Sequence, residues 1–273
     1  MQGKYSKLDS KKRYLQIALN STLQEAQKII FQLPLSDRIL IEAGTPLIKR
    51  YGVKGIKRIK EWYQQHLVNQ TLKSSIFSKK ISKTFNLSLS SILEILKQSD
   101  FQIKTIEKSF LNLEIIPYVV ADLKMMDRGE TEVEIAAEAG ADAVIALGCA
   151  PIESLNAFIQ KCEDLGIDSM VDMMNVEFPL NVLRKLKKLP RVIILHRGVD
   201  EEKFNKEKQI PLYEIRRIKS NYDVLISIAG GDTLKEVQRA IFNDADIVIV
   251  WKYFYQSNND IPKLAEEFLK EVT

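Results

Sequence analysis

Tyr118-Val119-Val120-Ala121-Asp122-Leu123-Lys124-Met125-Met126-Asp127 is an apolar run that ends in charge. A segment with apolar residues three and four apart, Glu130 to Ala139, follows it, then a second apolar run, Ala143 to Leu147, and a second helical segment, Pro151 to Leu165. Short runs rich in Val, Ile and Leu that alternate with amphipathic helices are the pattern of βα units, whose parallel strands are buried on both faces. Outward from this stretch the same alternation gives strands at Tyr14 to Leu19, Arg38 to Ile41, Asp168 to Val171, Val192 to Leu195, Asp223 to Ile228 and Asp246 to Val250, with further helices at Thr233 to Phe242 and Pro262 to Val272. Eight strands predict an α/β fold of the closed (β/α)8 TIM-barrel type, and the length of 273 residues suits one such domain. A doubly wound open sheet is the other solution, since periodicity does not show closure.

One interval breaks the rhythm. Between a helix expected to end near His66 and the strand at Tyr118 lie about fifty residues, where a few usually suffice. Residues 67–116 are therefore read as an insertion of two or three short helices between the second helix and the third strand, within a single domain spanning 1–273. Leu89, Ile92, Leu93, Ile95 and Leu96 sit there at helical spacing, with Lys73, Lys79, Lys80 and Lys83 interspersed. An insertion between a helix and the next strand emerges at the N-terminal face of a barrel, so an elaboration or oligomer contact is expected rather than a substrate lid.

Composition narrows the class. With 45% hydrophobic and 28% charged residues, a full core can be buried without staples. No apolar run approaches the roughly 18 residues of a membrane span. Cys149 and Cys162 lack metal-ligand spacing, and no apolar stretch follows the basic start from Met1 to Arg13, so a cytoplasmic protein is expected. The net charge of +4 suits an anionic small molecule and lacks the concentrated basic signature of nucleic-acid binders.

The chemistry-bearing residues fall at strand ends. Side chains alternate along a strand, so Asp122 and Lys124 share a side, here the barrel mouth; with Asp127 they are expected to make a cluster of three charges, two carboxylates around an ammonium that donates to developing negative charge. Glu42 ends the second strand and is expected beside Asp122, where two carboxylates, substrate oxygens and water suit Mg2+. Asp172 either points into the mouth or caps the next loop. His196 closes the sixth strand two residues before Gly198 and is expected to be catalytic, whereas His66 receives no role. Gly230-Gly231 follows the seventh strand, and the helix after it is expected to offer free N–H groups to a phosphate.

As a set, Leu15 to Leu19, Ile41-Glu42-Ala43-Gly44-Thr45-Pro46-Leu47-Ile48-Lys49, Ala121 to Asp127, Gly140-Ala141-Asp142, His196 to Asp200 and Ala229-Gly230-Gly231 resemble the 3-hexulose-6-phosphate synthases of the orotidine monophosphate decarboxylase superfamily, over about residues 14 to 66 and 117 to 271. The resemblance implies an aldehyde-lyase that joins formaldehyde to ribulose 5-phosphate or runs the reverse cleavage, with Mg2+ supporting an enediolate. It assigns Glu42 and Asp122 to metal and substrate hydroxyls, Lys124 and Asp127 to the charge cluster, and His196 to proton transfer. It also implies a homodimer, with Asp127 reaching across the interface. Asn20, Asp172, Gly230, Gly231 and Lys252 make up the substrate and phosphate side. The related 3-keto-L-gulonate 6-phosphate decarboxylases carry an arginine three positions beyond the histidine; Val199 stands there and matches the synthases. Decarboxylation, another sugar-phosphate lysis, or sugar-phosphate binding without catalysis are the alternatives.

Two positions depart from the pattern. Asn20 stands where the first strand usually ends in aspartate, and Trp251-Lys252 where a glycine precedes glycine or arginine. Lys252 replaces an arginine as a point charge for phosphate, without its fork, while Trp251 puts bulk where backbone would approach. The aromatic run Trp251, Tyr253, Phe254, Tyr255 is expected either at the phosphate site or packed on the insertion or a partner subunit.

Overall fold

In a computed structural model of the chain, residues 6–78, 115–256 and 260–272 are described, side chains 72–78 excepted. Eight strands, β1 (Tyr14–Leu19), β2 (Ile39–Ala43), β3 (Val119–Met125), β4 (Ala143–Leu147), β5 (Asp168–Asp172), β6 (Val192–His196), β7 (Leu225–Ala229) and β8 (Ile247–Val250), pair in parallel and in chain order. The register Tyr14↔Ile247 to Ile17↔Val250 joins β8 to β1 and closes the barrel, which removes the open-sheet alternative.

Helices α1 (Leu23–Ile30), α2 (Thr45–Tyr51), α3 (Val53–Ser78), α4 (Gly129–Glu138), α5 (Ile152–Leu165), α6 (Pro179–Leu183), α7 (Val199–Phe204), α8 (Tyr213–Lys219), α9 (Leu234–Phe242), α10 (Lys252–Tyr255) and α11 (Ile261–Glu271) connect the strands or follow them. Strand alternation produces two buried clusters. Tyr14, Ala18, Leu40, Val120, Ile145, Met170, Ile194 and Ile249 fill the barrel interior, while Leu15, Ile17, Ile41, Val144, Val171 and Ile193 face the helices. Helix α5 shows why the sequence chooses this layer. Leu155, Phe158, Ile159 and Cys162 recur at three and four residues and are all buried. Gly129, at the start of α4, lets that packing close up, since a Cβ there would lie 2.8 Å from Ser154 O and 2.9 Å from Phe158 N.

Helix α3 departs from expectation. It does not end near His66 but runs to Ser78. Ile56, Ile59, Tyr63 and Leu67 continue one buried stripe, and no glycine or proline interrupts the sequence between Ile56 and Ser78. Leu67 and Val68 are thus part of the core rather than of an insertion. His66 is buried with Nε2 2.8 Å from Leu33 O and its ring edge-on to Phe31. Of the rest of the expected insertion, the side chain of Lys73 and residues 79–114, with Lys79, Lys80, Lys83 and the apolar series from Leu89 to Leu96, lie outside the described residues.

Candidate active site

A cavity of about 540 Å³ opens at the C-terminal ends of the strands, where barrels of this kind hold their ligands. Asn20, Glu42, Asp122, Lys124, Asp172 and His196 all line it, from β1, β2, β3, β5 and β6 or the residues just after them.

The end of β3 is built around an irregularity. Its pairing with β4 shifts between Ala121 and Met125, and Lys124 has φ +50°, the left-handed region that L-residues adopt at a cost of order 1–3 kcal/mol. The bulge folds Lys124 back over its own strand. Its Nζ donates to Asp122 Oδ1 at 3.1 Å and Oδ2 at 3.0 Å, and to Asp172 Oδ2 at 2.8 Å. Burial would lower the pKa of this lysine, but Asp122 and Asp172 outweigh it and hold the ammonium above its ordinary range.

Asp172 joins the two halves of the cluster. Burial would raise its pKa, yet His196 and Lys124 hold the carboxyl well below the usual range. Its Oδ2 meets His196 Nδ1 at 2.8 Å, and its Oδ1 accepts from Met174 N at 2.9 Å. Both readings of this residue therefore hold at once: one oxygen serves the mouth and the other ties the following loop. With Nδ1 engaged, Nε2 is the ring nitrogen of His196 left for a ligand.

Glu42 is fully buried beside Asp122, and desolvation followed by that neighbouring charge raises its pKa to about 7. Gln16 Nε2 donates to Glu42 Oε2 at 2.5 Å, and Thr45 Oγ1 to Asp122 Oδ2 at 2.8 Å. Neither donor carried a role in the sequence reading. Gln16 left a signal nonetheless: it is a polar residue between Tyr14 and Ala18 in the inward-facing series Tyr14, Gln16, Ala18, Asn20. The Asn20 side chain lies over Gly44, where a Cβ would come within 1.9 Å of its Oδ1, so Gly44 is what admits it.

Asp127 does not join the cluster in its own chain. The bulge and a left-handed Arg128 (φ +57°) lead the chain outward into α4, leaving Asp127 exposed with Ser154 Oγ 3.4 Å from its Oδ1. The second carboxylate on Lys124 is Asp172 instead.

The phosphate side also differs from expectation. Gly230 lines the cavity at φ +91°, where a Cβ would stand 2.2 Å from Arg197 O, but Gly231 and Lys252 do not line it. At the start of α9, Thr233 and Glu236 form a capping box that binds the N–H groups of both residues at 3.2 Å. Lys252 Nζ pairs with Glu202, and lies 3.5 Å from Asp232 Oδ2. Trp251 lines the cavity, while Tyr253 and Phe254 pack on Phe268 of α11.

Residues 104–266 match the model of the Orotidine 5'-phosphate decarboxylase / HUMPS family. The chain belongs to that family. This HUMPS-family chain is 31% identical over 260 residues to the "Bifunctional enzyme Fae/Hps" of Methanosarcina barkeri, and 33% over 263 residues to that of Methanosphaera stadtmanae. These matches cover 95% and 94% of the chain but 52% of each relative, so the chain spans about half the length of the curated relatives it matches. Among solved structures, 3-hexulose-6-phosphate synthase from Salmonella typhimurium superposes with TM-score 0.69 at 24% identity, covering 95% of this chain and 98% of that one. KGPDC from Streptococcus mutans gives TM-score 0.60 at 17% identity, covering 96% and 97%. Both share the barrel.

Proposed function

We propose that the chain is an aldehyde-lyase of the 3-hexulose-6-phosphate synthase type, which adds formaldehyde to a ketose or reverses that addition. The observation that carries this reading is the Lys124 ammonium, held by Asp122 and Asp172 at the cavity wall beside Glu42 and His196. An aldol addition at the terminal carbon of a ketose has three steps, two of them proton transfers. A base removes the proton beside the carbonyl, the resulting enediolate carbon forms the new bond to formaldehyde, and the former aldehyde oxygen takes up a proton as hydroxyl. Lys124 stabilises the negative charge through its N–H donors, and His196 Nε2 carries the proton between carbon and oxygen, its ring oriented by Asp172. The relatives' sequence kinship and the aliphatic Val199 on the cavity wall support aldol chemistry over decarboxylation.

Mg2+ fits as cofactor. Glu42 and Asp122 are two mutually repelling carboxylates, one fully buried, and a divalent cation between them relieves that repulsion. No group of three or more His, Cys, Asp or Glu among the described residues is arranged to hold a metal, so water and substrate oxygens would complete the coordination. When bound, the ion supplies positive charge to substrate oxygens. The exposed Asp127 suits a homodimer in which it serves a second copy's site. No helix among the described residues is long and apolar enough to cross a membrane, and a phosphorylated-metabolite substrate fits a cytoplasmic enzyme.

The test is formaldehyde consumption by purified protein with Mg2+ and ribulose 5-phosphate, the substrate the resemblance implies, against an EDTA control, with light scattering for the dimer. Metal-dependent consumption is expected; a folded protein that consumes none overturns the reading.

A further inference from the structure

Lys124 and Arg197 are the permanently charged cations in the cavity wall among the described residues. The proposed aldol addition uses Lys124 and leaves Arg197 idle. Arg197 follows His196 at the end of β6, and its N–H donates to Ala229 O at 3.1 Å, which brings it against the loop after β7. Gly230 allows that approach, because a Cβ there would stand 2.2 Å from Arg197 O.

The charge of Arg197 is only loosely answered. A guanidinium stays ionised in any protein environment, so one withdrawn from water needs an anion close by. The Arg197 side chain is 11% exposed, and its carboxylate neighbours are Glu236 at 3.3 Å and Glu202 at 3.8 Å. Both have closer partners: Glu202 pairs with Lys252, and Glu236 accepts from Thr233 Oγ1 at 2.9 Å in the capping box. Lys124, by contrast, has its two carboxylates at 3.0 and 2.8 Å.

The hydrogen bonds of Arg197 leave the same room. Nη2 donates to Gly230 O at 2.7 Å and to Glu236 at 3.3 Å, but Nε is buried without a partner, and no described residue accepts from Nη1. Beside it, among the described residues, no hydrogen bond takes the N–H of Gly230, which also lines the cavity. A charged guanidinium with donors to spare next to an open backbone N–H is what the oxygens of a phosphate require. Lys252 does not line the cavity, and its Nζ is already taken by Glu202, with Asp232 at 3.5 Å. We propose that Arg197, and not the lysine after β8, takes the phosphate of the substrate, together with the Gly230 N–H. The inference rests on the proposed function for the class of substrate, a phosphorylated ketose.

Isothermal titration of the full chain with inorganic phosphate, D-ribulose 5-phosphate and D-ribulose tests it. Arg197→Met is expected to weaken both phosphates by about thirtyfold or more, and to leave ribulose, which carries no phosphate, within about threefold. Arg197→Lys keeps the charge without the planar fork; it is expected to lose about tenfold, and it serves where the methionine variant fails to fold. The double variant Glu202→Gln/Lys252→Met removes the neighbouring ion pair as a unit, leaves the net charge unchanged and is expected to keep phosphate affinity within about threefold. A double variant that loses phosphate as Arg197→Met does overturns the inference. So do Arg197 variants that bind phosphate as the wild type does, and so does a wild type that binds ribulose 5-phosphate no more tightly than ribulose. Phosphate binding that depends on Arg197 in a chain without formaldehyde turnover keeps the inference and loses the proposed function.

Discussion

The two ends of one cavity treat their cations in opposite ways. At the β2, β3, β5 and β6 end, carboxylates hold Lys124 at the cavity wall, so the charge that is stabilised is also presented. At the β7 and β8 end, carboxylates draw Lys252 off the wall and take the neighbouring backbone N–H groups with it. Similar residue types give an ammonium presented to the cavity at one end and one held away from it at the other. What separates them is which partner faces the ligand, and that depends on a backbone bulge at Lys124 and a capping box at Thr233.

The largest expected effect comes from breaking the first arrangement. Lys124→Ala removes the donor between Asp122 and Asp172, and formaldehyde turnover is expected to fall by about a thousandfold or more, the loss typical of a missing donor to transition-state charge. Steady-state kcat with circular dichroism as a fold control checks this, and retention of a tenth of the wild-type rate would dismiss Lys124 from the chemistry. The matching substitution at the other end, Lys252→Met, leaves kcat nearly unchanged if the two ends differ as described.

The same contrast explains what the sequence discloses. Apolar runs at Tyr14, Val144 and Ile193 reveal strands because burial on both faces demands Val, Ile and Leu, whereas closure rests on the pairing of β8 with β1. Asp122, Lys124, Asp172 and His196 stand at strand ends, so their convergence follows from the fold. Asp127 stays out of its own chain's cluster because a strand that bulges at Lys124 no longer alternates, and the left-handed Arg128 sends the chain outward. Thr233 and Glu236 spell a capping box in the sequence, and that box turns the N–H groups of these two residues to its own side chains.

A smaller effect sharpens the reactive end through pH. Glu42 has an ordinary carboxyl pKa of 4.5 that the fold raises to about 7, so between those values the folded chain binds the proton and the unfolded chain has released it. Stability of the metal-free protein therefore falls as pH rises through this window, by on the order of 2 kcal/mol, and levels off above it. Urea unfolding at pH 5 and pH 8 with EDTA present measures the slope. Glu42→Gln, neutral throughout, is expected to lose it, and Mg2+ to reverse the loss at pH 8; a slope that survives in Glu42→Gln belongs to another group.

The smallest effect concerns Gln16, the donor beneath Glu42. Its Nε2 supports the ionised carboxylate, while its own Oε1 is buried without a hydrogen-bond partner. Gln16→Leu removes both, a hydrogen bond that contributes roughly 0.5–1.5 kcal/mol while Glu42 is neutral at pH 5 and an unsatisfied acceptor that costs about 1–3 kcal/mol, so net stability at pH 5 changes by about 1 kcal/mol. Ionisation of Glu42 is where the change appears. Without the donor the carboxylate is less favoured, so the pH at which stability levels off moves upward. The same urea series on Gln16→Leu reads that shift, and an unmoved plateau means that Gln16 fills the barrel interior without supporting Glu42.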